Sequence, residues 1–87
     1  MRYKLNPHLA YRKIGEFLYA VDSKTSMLHK FNETAEIIFE CIEKGYDIDK
    51  IVKKIVSEYE IEENVVRTDV EEIIEEMLEK NIIEIEK

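Results

Sequence analysis

The chain has 87 residues, a formal net charge of −7, 45% apolar residues and 38% charged ones. That length fits one domain with a modest core, and the apolar share excludes wholesale disorder. No apolar run approaches the roughly 20 residues a membrane span needs, the N-terminus lacks the apolar stretch of a signal peptide, and the single cysteine closes no internal disulfide, so a cytosolic protein off the membrane is expected.

Charge is unevenly spread. Residues 1–30 hold six Lys/Arg against two Asp/Glu, whereas residues 60–87 hold three against eleven. The C-terminal third therefore disfavours a phosphate backbone, and the mildly basic N-terminal third favours a partner that is itself polarised.

Met1–His8 reads as a lead-in in which Pro7 holds Asn6 extended. Leu9–Ile14 and Phe17–Asp22 are rich in strand-forming residues, and Gly15-Glu16 between them suits a tight hairpin. A polar turn, Asp22–Ser26, leads to Met27–Phe31, where Met27, His29 and Phe31 alternate with Leu28 and Lys30 as in a two-faced strand. The spacing predicts an antiparallel meander with Met27–Phe31 at its edge. Asn32 is a good helix N-cap, and from Ala35 the apolar period becomes helical through Ile38, Phe39 and Ile42. Gly45 stops that helix. Asp47 caps a second one, with the stripe Ile48, Ile51, Val52, Ile55 and Tyr59. A third runs from Glu63 or Asn64 to a left-handed cap at Asn81, after which Ile82, Ile83 and Ile85 continue as an extended tail.

On the third helix, Val65, Val66, Val70, Ile73, Ile74, Met77 and Leu78 include an apolar arc about 140° wide, against the roughly 100° that one core face needs. Either the helix packs against two elements or one edge of the arc is left for a partner.

No catalytic constellation is visible. His8, His29 and Cys41 lack ligand spacing, so no metal or cofactor is expected. Cys41 shares an apolar helix side with Ile38 and Ile42, as core filler does, and two glycines cannot build a phosphate cradle. The Glu pairs at 62–63, 71–72 and 75–76 read as a solvated face. A non-enzymatic protein follows. Strands followed by three helices also suggest a winged-helix nucleic-acid binder or transcriptional regulator. Five glutamates, Glu71, Glu72, Glu75, Glu76 and Glu79, against Arg67 and Lys80 on the third helix speak against contact with nucleic acid.

At the strand–helix junction the chain resembles the PqqD-like family. Phe31-Asn32-Glu33-Thr34-Ala35, an apolar helix, Gly45, a capped second helix ending at Tyr59, Asp69-Val70 and a helix end before Ile82-Ile83 carry the likeness, from about Leu9 to Ile83. The family usually has Leu at Phe31, and Phe39 stands where it often has an aromatic, commonly Trp. The resemblance implies an α+β, winged-helix-like domain, a three-stranded antiparallel sheet followed by three α-helices, forming one unit with its core over 9–83. It also implies a function: binding the leader segment of a ribosomally made precursor peptide by strand addition, and delivering it to a modifying enzyme, often a radical S-adenosylmethionine enzyme. On that reading the peptide-binding residues are Met27, Leu28, His29, Lys30 and Phe31 on the strand, with Val66, Arg67, Val70, Ile73 and Met77 on the third helix. Arg67 and Lys30 would pair with leader carboxylates, and Ile74 and Leu78 would belong to the core. The same edge strand leaves pairing of two copies open.

Overall fold

The computed structural model describes residues 2–87. Strand β1 spans Arg2–Leu5, β2 Leu9–Ile14, β3 Phe17–Asp22 and β4 Leu28–Phe31. Helix α1 covers Glu33–Glu43, α2 Ile48–Tyr59 and α3 Glu63–Glu79, and strand β5, Ile83–Glu86, closes the chain. The expected meander forms an antiparallel sheet in the order β2-β3-β4, so β4 is an edge strand. The three helices follow it, in the winged-helix-like arrangement.

Local chemistry sets the element boundaries. Gly15 takes φ 61° in the β2–β3 turn, a left-handed conformation that a side chain disfavours. The Asn32 side chain accepts from the Ala35 N–H at 2.8 Å, and Asp47 accepts from the Lys50 N–H at 2.9 Å, capping α1 and α2. Gly45 follows α1 at φ 87°, and Asn81 follows α3 at φ 59°. Glu60 ends α2 at φ 51° without glycine's freedom, a termination that its side chain does not announce.

Two segments differ from expectation. Arg2–Leu5 is a strand, and it pairs antiparallel with the C-terminal tail in a register that places Tyr3 opposite Ile85 and Leu5 opposite Ile83. The two chain ends thereby form a ribbon beside the helices. Tyr3 and Ile83 are both buried, which is the physical reason the ribbon forms: each strand alone has one apolar face to cover.

The core lies between the inner face of the sheet and the helices. Phe39 is fully buried, with the Tyr11 ring edge-on to it at 4.9 Å and the Phe31 ring tilted against it at 5.1 Å. Ile38, Ile42, Ile51, Val52, Val70 and Ile74 pack around this cluster. Cys41 is buried there too, and burial pushes its thiol pKa up, so it stays a protonated core side chain at neutral pH. Among the described residues no helix is long and apolar enough to cross a membrane.

One polar knot ties the far end of α3 to the sheet. Asn6 donates from its side-chain amide to Asp22 at 3.1 Å and to the Asn81 carbonyl at 2.8 Å, and its backbone N–H donates to the Ile82 carbonyl at 3.0 Å. Asp22 also accepts from the backbone N–H groups of Lys24 at 2.8 Å and Thr25 at 3.3 Å. Those Lys24 and Thr25 bonds, with the Asn6 bond and the nearby His8, outweigh burial and hold its carboxyl below the usual range.

Candidate functional site

The site is built from β4 upward. Leu18 pairs with Phe31, Tyr19 with Lys30, Ala20 with His29 and Val21 with Leu28. Since Leu18 and Ala20 are buried, Phe31 and His29 share their inner face, while Leu28 and Lys30 point outward with Val21 and Tyr19. The Asp22 N–H donates to the Met27 carbonyl at 2.9 Å, which makes Asp22 and Met27 a hydrogen-bonded pair in the same register. In an antiparallel ladder such pairs alternate. His29 and Phe31 therefore turn their backbone groups toward β3, and Leu28 and Lys30 turn theirs toward the open edge. No described residue pairs with that edge.

Beside the open edge runs a cleft of about 250 Å³ between β4 and the C-terminal half of α3. Leu28, His29, Lys30, Phe31 and Asn32 form one wall, and Ile73, Glu76, Met77 and Lys80 form the other. Ala35 and Ile82 complete it with apolar surface. Glu76 and Lys80 neutralise one another at 2.7 Å on the rim.

The expected site residues thus divide. Leu28, His29, Lys30, Phe31, Ile73 and Met77 are brought together. Met27 precedes the strand, more than half exposed, with its carbonyl spent on Asp22. Val66 and Val70 do not reach the cleft. They are 3% and 1% exposed and pack with Ile55 and Ile37 where α3 meets α1 and α2. Arg67 is held elsewhere too, its guanidinium 2.9 Å from Asp49 on α2 and 4.0 Å from Glu63. Ile74 is core, and Leu78 packs partly against it.

Asn32, Ala35, Glu76, Lys80 and Ile82 line the cleft without having been assigned to the binding site from the sequence. A signal existed for two of them: Ile73, Glu76, Met77 and Lys80 follow the i, i+3, i+4, i+7 rule of one helix stripe. An arc drawn through apolar residues alone passes over it, because two members are charged.

A larger depression, about 710 Å³, lies between the β2–β3 hairpin and α1–α2. Two ion pairs cross it, Lys13 at 3.0 Å from Glu36 and Lys54 at 2.8 Å from Glu58. It borders the other free edge of the sheet, at Lys13 near the end of β2, and eight of its thirteen lining residues are charged. Among the described residues no three His, Cys, Asp or Glu side chains converge as metal ligands do.

A three-stranded sheet followed by three helices defines a winged-helix-like domain of the α+β class, here with a bare strand edge beside a cleft. The family profile described as coenzyme PQQ synthesis protein D (PqqD) matches residues 15–83, well over half the chain, and the protein belongs to that family. Two solved structures share its fold. One is a lasso peptide synthetase B1 complexed with the leader peptide, with TM-score 0.90 and 18% identity over 98% of this chain and 100% of that one. The other is TbiB1 in complex with the TbiA(beta) leader peptide, with TM-score 0.88 and 18% identity over 97% of this chain and 98% of that one. No curated protein matches the sequence.

Proposed function

We propose that this protein is a non-catalytic peptide-binding module that takes the leader segment of a ribosomally made precursor as an extra strand on β4 and presents it to a modifying enzyme. The observation that carries this is the paired geometry of bare backbone and a cleft with apolar side chains between polar rims. Leu28 and Lys30 offer unpaired N–H and C=O groups along the edge, and half-buried Ile73, backed by buried Met77, offers side-chain contact across the cleft. Backbone bonds would supply affinity that is independent of sequence, and the cleft would supply selectivity. Family membership and the fold shared with two leader-complexed proteins support the same reading. The family resemblance supports a radical S-adenosylmethionine enzyme as one candidate for that modifying enzyme.

The nucleic-acid alternative has no comparable surface. Glu71, Glu72, Glu75, Glu76 and Glu79 are all exposed on α3, the helix that would have to approach phosphates. The test is an anisotropy titration of fluorescently labelled peptides taken from the N-terminal segments of the short open reading frames nearest this gene. Saturable binding that Ile73→Asp abolishes supports the proposal. No binding of the leader, together with tight and sequence-selective binding of duplex DNA, overturns it.

A further inference from the structure

The open edge also fixes what an added peptide strand would present at each position, and this inference rests on the leader-binding reading. Residues side by side on neighbouring strands share a face, whichever way the second strand runs. The peptide residue beside His29 therefore points inward, and those beside Leu28 and Lys30 point outward.

Each position meets a different environment. The inward residue enters the cleft against Ala35, Ile73, Met77 and Ile82, with the rim charges Glu76 and Lys80 already paired at 2.7 Å. An apolar side chain fits there. Outward, the sheet register makes two rows. Ala10, Val21 and Leu28 form one, which is apolar throughout, and Val21 and Leu28 are 41% and 62% exposed. Arg12, Tyr19 and Lys30 form the other, with two cations and no carboxylate. The Lys30 ammonium lies 4.0 Å from the centroid of the Phe17 ring on β3, so it rests over the outer face of the sheet and turns from that exposed ring to meet a side chain on an added strand. No acidic residue pairs with it among the described residues.

We infer that the edge of β4 selects a three-residue peptide pattern: an outward apolar residue beside Leu28, an inward apolar residue beside His29, and an outward Asp or Glu beside Lys30. Lys30, rather than Arg12, is the residue that reads the acid. Arg12 stands three strand spacings from the added strand, roughly 14 Å at about 4.8 Å each, beyond a Debye length of about 8 Å at physiological salt. The chain's net charge of −7 works weakly against any acidic peptide, so the preference is local to this one position. A peptide running parallel to β4 shows the order apolar, apolar, acidic, and an antiparallel one shows the reverse, so the order enriched reads out the direction of pairing.

A display library of short random peptides, selected against the whole protein, tests the pattern. The wild type is expected to enrich the triplet. Lys30→Met removes the acid preference, and Lys30→Glu replaces it with Lys or Arg. Individual peptides titrated by anisotropy lose about two- to five-fold on neutralising Lys30, the range of cross-strand ion pairs. Circular dichroism checks the fold of each variant, and Ile73→Ala backs up Ile73→Asp. Enriched peptides that need Ile73 but carry no acid, or that keep the acid with Lys30→Glu, overturn the pattern and leave strand addition standing. No enrichment, or binding indifferent to both Ile73 variants, overturns the leader-binding reading itself.

Discussion

The two halves of α3 carry similar residues and sit in different surroundings. In the N-terminal half, Val66 and Val70 are sealed against α1 and α2, and Arg67 is fixed to Asp49. In the C-terminal half, Ile74 is equally buried, but Ile73 and Met77 border a cleft whose far wall is an unpaired strand edge. One helix thus closes the core at one end and leaves a groove at the other. The first reading of the wide apolar arc, packing against two elements, describes the N-terminal half, and the C-terminal half borders a cleft.

The sharpest way to break that comparison is to place a carboxylate in each half. Val70→Asp buries an unpaired charge and should cost several kcal/mol, enough to unfold much of a domain this size. Ile73 is only half-buried, so Ile73→Asp should cost about 1–2 kcal/mol of stability while abolishing leader binding. Urea unfolding and leader titration on the same samples separate the two. Equal loss of stability would mean that the halves are alike after all.

Proline tests the strand wall of the groove. The His29 N–H faces β3, so His29→Pro removes a ladder bond, leaves its acceptor unpaired and should destabilise the sheet by about 1–3 kcal/mol. The Leu28 N–H faces the open edge, and Leu28 is the first residue of an edge strand, where proline is tolerated. Leu28→Pro should therefore leave thermal unfolding within a few degrees of wild type and weaken the leader at least ten-fold. A Leu28→Pro protein that binds normally would show that the peptide does not pair with this edge.

Smaller effects sharpen the boundary between the halves. Arg67→Ala should leave leader affinity unchanged and cost under about 1 kcal/mol, the usual worth of a partly exposed ion pair. Asn32→Ala should cost about 1 kcal/mol through the lost cap on α1. Because Asn32 also lines the cleft, a fall in affinity larger than its fall in stability would mark it as a direct contact.

Much of this architecture is legible in the sequence because it is local. The hairpin glycine, the caps at Asn32 and Asp47 and the left-handed stop at Asn81 each depend on neighbours within a few residues. The β1–β5 ribbon was not legible, because its strands are short and its partners lie at opposite ends of the chain. The strand wall of the cleft followed from period-2 alternation, which also places Lys30 and His29 on opposite faces. The helix half did not follow. Periodicity assigns Val66, Val70, Ile73 and Met77 to one arc, and only the crossing of α2 over the first half separates them. Arg67 shows the same limit, since its partner Asp49 lies on another helix.

The subtlest prediction concerns what holds the groove end of α3 in place. Asn6 links Asp22 at the end of β3 to the carbonyls of Asn81 and Ile82, just past α3. The Asp22 carboxyl is held below its ordinary value of 3.8, chiefly by the Lys24 N–H, with burial opposing and the Thr25 and Asn6 bonds assisting. A carboxyl whose pKa is depressed by folding stabilises the native state above its unfolded pKa, and that stabilisation fades as the pH falls through the lower, folded value. The tie should therefore be intact at neutral pH and weaken from about pH 4 downward. Asp22→Asn removes the titration. It also sets an amide N–H₂ where one carboxylate oxygen accepts from Asn6, and Asn6 cannot turn to compensate because its own carbonyl oxygen accepts from the His8 N–H at 2.9 Å. The variant should be less stable than wild type at pH 7, and the gap between their urea midpoints should narrow as the pH drops below about 4. Hydrogen exchange at the Asn6 amide, which donates to the Ile82 carbonyl, should quicken in step with that narrowing while the Val70 amide stays protected. Exchange that quickens equally at both would place the acid-sensitive tie in the whole core rather than at the groove end of the helix.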